Sequence, residues 1–380
     1  MKKLMVIIIA LFTTISINPN ITMAESKLDT PSINSEAAIV LEANTGKVLY
    51  EKNAEKSMYP ASLTKIATAI YAIENGDLND TVTVSEKAYN TGGSSVFLEE
   101  GDEATLKQLI QGLLLNSGND AGVAIAEHLS GSVEQFSKDL NAYLEEKAGV
   151  EQTEFQNPHG LFDSEHRTTA KDLADITKYA QENETFNEIY GLETLDWDGE
   201  KWDATLYTHH RFMREDPYEG VTGGKTGYVP QSGFTLATSA SRENMDVVVI
   251  TMKSSTKDLS YEDTKKLLDY GFEHYQTSVL KPEEELPNVD EDYQLPKEIS
   301  YTHLKGDSVN TDMDESGMLS ITNSDGEEIY SEQMEKVKEK TTPPEEKQEY
   351  DKPKWQEYWT LFIFPRHFWV TEIYEELHGS

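Results

Sequence analysis

Apolar and polar positions change period several times along this chain of 380 residues. From Ala37 to Tyr50, AAIVLEANTGKVLY, two β-rich runs flank Asn44-Thr45-Gly46, which predicts a hairpin. From Ser62 the period lengthens. Leu63, Ile66, Ala67, Ile70 and Ile73 recur at helical spacing until Asn75-Gly76, a helix stop. Further helices are predicted from Thr105 to Leu115, from Asp120 to Leu129, from Ser132 onward with a capping-box pattern, and from Thr169 to Ala180. After about residue 204 the period drops to that of strands. GFTLATSAS, Gly233 to Ser241, and MDVVVITM, Met245 to Met252, are joined by Arg242-Glu243-Asn244, and a helix from Tyr261 to Tyr275 closes the segment. This order predicts an α+β fold, an antiparallel sheet with helices against it, over residues 36–277. Lys281 to Pro287 reads as a linker, and short strand candidates such as Leu319 to Thr322 predict a small β-rich domain over residues 278–340. Thr342 to Lys354 is polar and charged, so residues 341–354 are expected to be a second linker.

The two ends differ from everything between them. Lys2 and Lys3, the apolar run Leu4 to Ile17 and the small residues around Ala24 make residues 1–24 a secretory signal peptide. The run is shorter than the ~20 residues a membrane span needs. The chain is therefore expected outside the cell membrane. Residues 355–380 gather Trp355, Tyr358, Trp359, Phe362, Phe364, Phe368 and Trp369 among polar residues, a composition that suits a tail helix at a membrane interface. Its apolar run Leu361 to Phe364 is too short to cross a bilayer, and Lys352, Lys354 and Arg366 add little electrostatic attraction.

Charge and cysteine usage exclude some chemistry. Asp and Glu outnumber Lys and Arg 69 to 33, for a net charge of −36. Such a chain repels nucleic acid, so none is expected as a partner, and the acidity itself reads as a solvated coat. With no cysteine there is neither a disulfide nor a thiol nucleophile.

Three short patterns carry candidate chemistry. Ser-x-x-Lys occurs at Ser62–Lys65 and again at Ser254–Lys257. Ser62 follows Pro60-Ala61 at the predicted helix start, and residues three apart share a helix face, so Lys65 can reach the Ser62 hydroxyl. A serine needs a base to become a nucleophile, and a lysine serves once burial or a neighbouring cation lowers its pKa. The second copy lies in a polar loop and is read as a decoy. Ser-x-Asn occurs at Ser16, Ser32, Ser117 and Ser308; only Ser117-Gly118-Asn119 falls between two predicted helices, on a loop that rigid elements can position. There Ser117 could relay a proton and Asn119 could hold a substrate carbonyl. GVTGGKTGYV, residues 220 to 229, is one glycine short of a phosphate loop: the position five before Gly224 is Glu219, and strand-like sequence follows rather than a helix. Lys225-Thr226-Gly227 is instead expected just before a strand, offering an ammonium, a hydroxyl and open backbone beside the nucleophile. Singly, each pattern has a plain alternative: a cap, a solvated lysine, a turn, a loop. His159, after Asn157-Pro158, is read as a turn residue.

Ser62/Lys65, Ser117/Asn119 and Lys225/Thr226/Gly227, in that order, resemble the serine acyl-transfer set of penicillin-binding proteins and class A β-lactamases. With Pro60 to Lys65, Leu115 to Gly122, Asn157 to Leu161 and Gly224 to Tyr228, the chain resembles the D-alanyl-D-alanine carboxypeptidases, low-molecular-weight penicillin-binding serine peptidases with a β-lactamase/transpeptidase-like domain. Within them it looks most like the sporulation-specific branch that trims spore cortex, on Gly223 to Tyr228, Phe272 to Thr277 and the aromatic tail. The resemblance implies that Ser62 forms an acyl-enzyme with the penultimate D-alanine of a peptidoglycan stem peptide and that Lys65 is its base. It implies that Ser117 passes a proton to the leaving D-alanine and that Asn119 positions the substrate. Lys225 and Thr226 would hold the terminal carboxylate, with Gly227 beside them and the backbone N–H groups of Ser62 and Tyr228 as the oxyanion hole. β-Lactam antibiotics would acylate Ser62, and no metal or cofactor is implied. One departure stands out. Many relatives carry an arginine on the strand after Lys-Thr-Gly; here that position falls on Asp246, which would face the substrate's own anion. A D,D-endopeptidase on the same scaffold, a β-lactamase and a non-catalytic wall-binding protein are the alternatives. No Glu-x-x-x-Asn pattern lies between Asn119 and Lys225 to serve a class A lactamase.

Overall fold

The computed structural model describes residues 28–199, 203–282, 293, 295 and 297–334. The expected signal peptide (1–24), linker (341–354) and aromatic tail (355–380) lie outside the described residues, as does most of the expected linker at Lys281 to Pro287.

The chain begins with β1 (Ala37–Glu42) and β2 (Val48–Lys52), then α1 (Thr64–Asn75), β3 (Thr81–Thr83), α2 (Glu86–Tyr89) and β4 (Glu103–Thr105). Five helices follow: α3 (Leu106–Leu115), α4 (Asn119–Ser130), α5 (Val133–Ala148), α6 (Ala170–Gln181) and α7 (Glu184–Tyr190). A hairpin of β5 (Thr194–Asp198) and β6 (Asp203–Tyr207) leads to β7 (Val221–Val229), β8 (Gly233–Arg242), β9 (Met245–Ser254) and α8 (Lys257–His274). The remaining strands are β10 (Tyr275–Leu280), β11 (Ile299–Leu304), β12 (Asn310–Met313), β13 (Met318–Thr322) and β14 (Glu328–Gln333). The helix starts carry the caps their sequences offer. Thr105, Ser132, Thr169 and Thr256 each accept a backbone N–H three residues on.

Five strands form an antiparallel sheet in the order β2-β1-β9-β8-β7. Its central strands are buried on both faces because a core lies on each side. Ala37, Ile39 and Leu41 of β1, with Val248, Ile250 and Met252 of β9, join the core made with α1 and α3 to α7. Ala38 and Val40, with Val247 and Val249, join the second core, under Leu267, Leu268 and Phe272 of α8. This is why β1 and β9 read as unbroken apolar runs rather than alternating ones. The end strands β10 to β14 enclose a third, smaller core around Leu319 and Ile321. β10 begins directly after α8 and pairs with β11, so the β-rich part starts at Tyr275 rather than at the composition shift after Thr277.

Two expectations need correction. Lys225-Thr226-Gly227 does not precede a strand; it lies inside β7, paired with Ala237, Leu236 and Thr235 of β8. The two intervening glycines, Gly223 and Gly224, hid the strand period. Asp246 does not face that triplet. Lys225 pairs with Ala237, and Ala237 with Ile250, so Asp246 sits four residues farther along β9, about 13 Å away at ~3.3 Å per residue. There it accepts a bond from Asn44 Nδ2 at 3.0 Å, beside the β1–β2 turn. The helix α8 also starts at Lys257 rather than Tyr261, since Thr256 caps it. Helix α7 and the β5–β6 hairpin were not foreseen.

Candidate active site

Ser62 sits on a single 3-10 turn, Ala61–Leu63, that feeds α1, rather than on the α-helix itself. That turn starts from a left-handed residue, Ala61 at φ +51°, a conformation an L-residue holds only under constraint. Several bonds supply the constraint. Thr64 Oγ1 donates to the Ala61 carbonyl at 2.9 Å and lies 2.8 Å from His166 Nε2. The Gln156 N–H donates to His166 Nδ1 at 3.0 Å, so Nε2 carries the ring proton and gives it to Thr64. Burial pushes the His166 pKa down to about 3, which keeps the ring neutral in this role. Thr235 Oγ1 on β8 donates to the Pro60 carbonyl at 3.0 Å.

Lys65 is fully buried. Its Nζ lies 3.1 Å from Ser62 Oγ, 2.7 Å from Asn119 Oδ1 and 2.6 Å from the His159 carbonyl. Burial first, and the cation of Lys225 second, hold its pKa well below the lysine range, with Asp120 pulling weakly the other way. A neutral amine has two N–H donors and one lone pair. Asn119 and His159 take the donors, which leaves the lone pair for the Ser62 hydroxyl. The surroundings thus disfavour the ammonium and point the free base at the Ser62 hydroxyl.

Asn119 is the first residue of α4, and Ser117, left-handed at φ +61°, turns the chain into it. The Asn119 N–H donates to the Ser94 carbonyl and its amide to the Gly92 carbonyl, both at 2.8 Å. Buried Asp120 fastens the same loop, accepting from the Val96 and Leu98 N–H groups and from Ser95 Oγ.

β7 closes the other wall. A Cβ at Gly227 would lie 2.9 Å from the Ser62 nitrogen and 2.4 Å from Thr235 Oγ1, so only glycine lets this strand run against the nucleophile turn. β7 is the last strand in the sheet order, and its outer edge pairs with no strand among the described residues. Thr226, Gly227 and Tyr228 line a cavity of about 310 Å³ together with Ser62, Ser117, His209 and Lys257. Tyr228 packs its ring on Phe234, centroids 4.6 Å apart. Lys225 is buried instead, and burial pushes its pKa down to about 7. It faces inward, where its charge acts on Lys65.

The structure therefore gathers Ser62, Lys65, Ser117, Asn119, Lys225, Thr226, Gly227 and Tyr228 around one cavity, with Lys65, Asn119 and Lys225 below its surface. The Ser254 copy is structural: Ser254 Oγ bonds Ser35 Oγ at 2.6 Å in the Asp263 network. Its lysine is not, since Lys257 lines the cavity. His159 is a turn residue, with Asn157 Oδ1 accepting from the Gly160 N–H at 2.7 Å. Its carbonyl is nonetheless a partner of Lys65, which no side-chain motif could reveal.

A family model described as D-alanyl-D-alanine carboxypeptidase, peptidase S11, matches residues 23–256. The chain is similar to D-alanyl-D-alanine carboxypeptidase DacF of Bacillus subtilis, 36% identical over 251 residues, covering 65% of this chain and 64% of the relative. It is 33% identical over 290 residues to DacC of Escherichia coli, covering 70% of this chain and 68% of the relative. The match thus spans a little under two thirds of the Bacillus relative's length. Among solved structures, penicillin binding protein 5 from Haemophilus influenzae shares the fold at TM-score 0.71 and 24% identity, covering 81% of this chain and 98% of that one. A serine-to-alanine mutant of the Streptomyces K15 DD-transpeptidase aligns at TM-score 0.60 and 26% identity, over 64% of this chain and all of that one.

Proposed function

Because the chain belongs to the D-alanyl-D-alanine carboxypeptidase family, we propose that it removes the terminal D-alanine from a peptidoglycan stem peptide through an acyl-enzyme on Ser62. The observation that carries this reading is the buried Lys65 amine 3.1 Å from Ser62 Oγ, with its two other hydrogen-bonding directions taken by Asn119 and His159. The substrate lies extended along the open edge of β7, as an added strand would. Lys65 takes the Ser62 proton as Oγ attacks the penultimate carbonyl. The N–H groups of Ser62 and Tyr228 receive the developing oxyanion. The C–N bond breaks, and Ser117 relays the proton held by Lys65 to the leaving amine, so Lys65 is again a free base. Lys65 then takes a proton from water as the water oxygen attacks the ester, and returns it to Ser62 Oγ as the C–O bond breaks.

Lys225 acts from beneath, keeping Lys65 short of its proton. The terminal carboxylate rests on Thr226 and Lys257. This moves the charge partner from Lys225 to the lysine that looked like a decoy, and it removes Asp246 from the site. Penicillin acylates Ser62 by the same attack. Export by residues 1–24 and an interfacial tail at 355–380 would place the reaction on wall or spore-cortex material at the outer membrane face; truncation after Lys340 should release the protein from membranes with soluble activity intact.

The deciding experiment is D-alanine release from a pentapeptide, with and without Ser62→Ala. Release that survives the substitution, or rapid hydrolysis of a chromogenic β-lactam without D-alanine release, would overturn the reading.

A further inference from the structure

A second cleft, of about 860 Å³ against about 310 Å³ for the catalytic cavity, lies where the catalytic sheet meets the β-rich part. It is lined by Gly220 just before β7, by Glu243 and Asn244 of the β8–β9 turn, by Phe272 of α8 and by the ribbon of β10 and β11. Gly220 precedes Thr226 by six residues along the chain, so the cleft lies about 20 Å from Thr226 at ~3.3 Å per residue. Backbone bonds fix its walls. The Lys305 N–H donates to the His274 carbonyl at 2.8 Å and Lys305 Nζ to the Phe272 carbonyl at 2.7 Å. Lys47 Nζ, beside the β1–β2 turn, donates to the Thr302 carbonyl at 3.0 Å. A cleft between elements tied in this way is formed before a ligand arrives.

Its lining has a definite chemistry. In the β10–β11 register Gln276 pairs with His303 and Ser278 with Tyr301, so Gln276, Ser278, Tyr301 and Lys305 share one face of the ribbon. All four line the cleft. Buried His303 orders them. Its Nε2 lies 2.8 Å from Ser278 Oγ and 3.3 Å from Gln276 Nε2, and its ring stacks on Tyr301 with centroids 5.5 Å apart. The end of the sheet contributes Arg242. Its Nε and Nη2 donate to the Glu219 carbonyl at 3.2 and 3.0 Å, and its guanidinium lies 4.8 Å from the Tyr218 ring and 4.5 Å from the Phe272 ring. This leaves Nη1 as the spare donor. The cations Arg242 and Lys305 share the lining with the acids Glu219 and Glu243. Such a lining has no excess charge with which to hold a polyanion, which the chain's net charge of −36 repels in any case. So many polar groups also disfavour an oily segment, which would strip them of water without replacing its hydrogen bonds. The lining suits a neutral ring with a C–H face for an aromatic and hydroxyl and amide groups around its rim. That is a sugar, with Tyr301 for the face and Gln276, Ser278 and Asn244 for the rim.

We propose that this cleft binds the glycan of peptidoglycan, as a short run of N-acetylated aminosugar rings, while Ser62 acts on stem peptides carried by the same polymer. Each acetamido group offers one N–H and one C=O, which the side-chain amides of Gln276 and Asn244 answer in kind. A five-residue stem reaches about 17 Å when extended, close to the separation between the cleft and Thr226. A glycan anchored here therefore keeps stems near Ser62 and raises their effective concentration without altering the reaction. This inference takes the identity of the polymer from the carboxypeptidase reading above and adds no step to it.

The test measures calorimetric binding of the β-1,4-linked tetramer of N-acetylglucosamine to the full chain, with cellotetraose, which lacks the acetamido groups, as the comparison. Beside it, D-alanine release is measured from polymeric peptidoglycan and from a free pentapeptide. The acetylated tetramer should bind, and cellotetraose about threefold more weakly or less. Tyr301→Ala should weaken the tetramer about tenfold. Asn244→Ala, in an exposed turn where folding is not at risk, should weaken it about threefold. Both variants should lower kcat/KM on the polymer and leave the free pentapeptide and penicillin acylation unchanged. No binding of the tetramer, equal affinity for the two tetramers, or equal losses on polymer and pentapeptide would overturn the glycan cleft. Tetramer binding with the expected losses in both variants, but no D-alanine release from either substrate, would overturn the carboxypeptidase reading and leave the cleft standing.

Discussion

Replacing Gly160 by alanine should damage catalysis from a position that touches no substrate. Gly160 follows His159, whose carbonyl binds Lys65, and it lies at φ +84°. A Cβ there would fall 1.8 Å from the Ala61 carbonyl oxygen and 2.4 Å from the Ala61 carbonyl carbon. Both are backbone atoms of the turn that presents Ser62, so no side chain can swing aside. Gly131 provides the control, since it has φ +75° and nothing within 4 Å of its virtual Cβ. Gly131→Ala should lose about 1–2 kcal/mol, the strain of one left-handed L-residue. Gly160→Ala adds overpacking against fixed backbone, about 1–3 kcal/mol more, for a total of about 2–5 kcal/mol. Relief of the clash must shift the Ala61–Ser62 turn by the order of an ångström, which typically costs a reaction about 100-fold in rate. Urea unfolding would read the first quantity and the acylation rate of fluorescent penicillin the second. Equal stability losses in the two variants, or normal acylation by Gly160→Ala, would refute the claim that this close approach positions Ser62.

Other expectations follow from single groups. Lys225 titrates near 7 in the fold and near 10.5 when unfolded, so the unfolded chain binds more protons between those values and stability rises with pH across that window. Lys225→Met should therefore stabilise the protein most at pH 7 and progressively less toward pH 10; urea midpoints differing by a pH-independent amount would contradict this. Lys257→Ala should reduce kcat/KM roughly tenfold for a peptide with a free terminal carboxylate and far less for its amide, measured by release of the C-terminal residue; equal losses would remove Lys257 from carboxylate binding. Thr235→Val deletes the Thr235 Oγ1 bond to the Pro60 carbonyl, leaving that acceptor only the Leu63 N–H at 3.4 Å, and should cost about 0.5–1.5 kcal/mol for the one hydrogen bond lost, seen as slower penicillin acylation and a lower urea midpoint. Unchanged acylation would show that the Pro60 anchor is dispensable.

Most elements were legible because helical and strand periods are local. The first helix, the capped helices after Thr105, Ser132 and Thr169, and the two long strands at the end of the catalytic unit each announce themselves within a dozen residues. The three motifs were also legible, since Ser62 and Lys65 are neighbours by spacing alone. β7 was missed because Gly223, Gly224 and Gly227 carry no side chain to mark a period, although that absence is what lets the strand pass beside Ser62. The β5–β6 hairpin escaped for a related reason: Leu195, Trp197 and Leu206 are thinly spread among polar residues.

The sequence by itself put the Lys65 amine within reach of the Ser62 hydroxyl, because that depends on residue type and short spacing, whereas the kind of bond attacked was implied only by resemblance to a family. Tertiary structure alone decided which charges surround them. Strand register carried Asp246 some four residues beyond the site, and helix α8 brought in Lys257, almost two hundred residues from Ser62. Burial lowered the Lys225 pKa to about 7, and burial first with the Lys225 charge second holds Lys65 below the lysine range. Each outcome depends on pairing and packing between distant segments, which a local pattern does not encode.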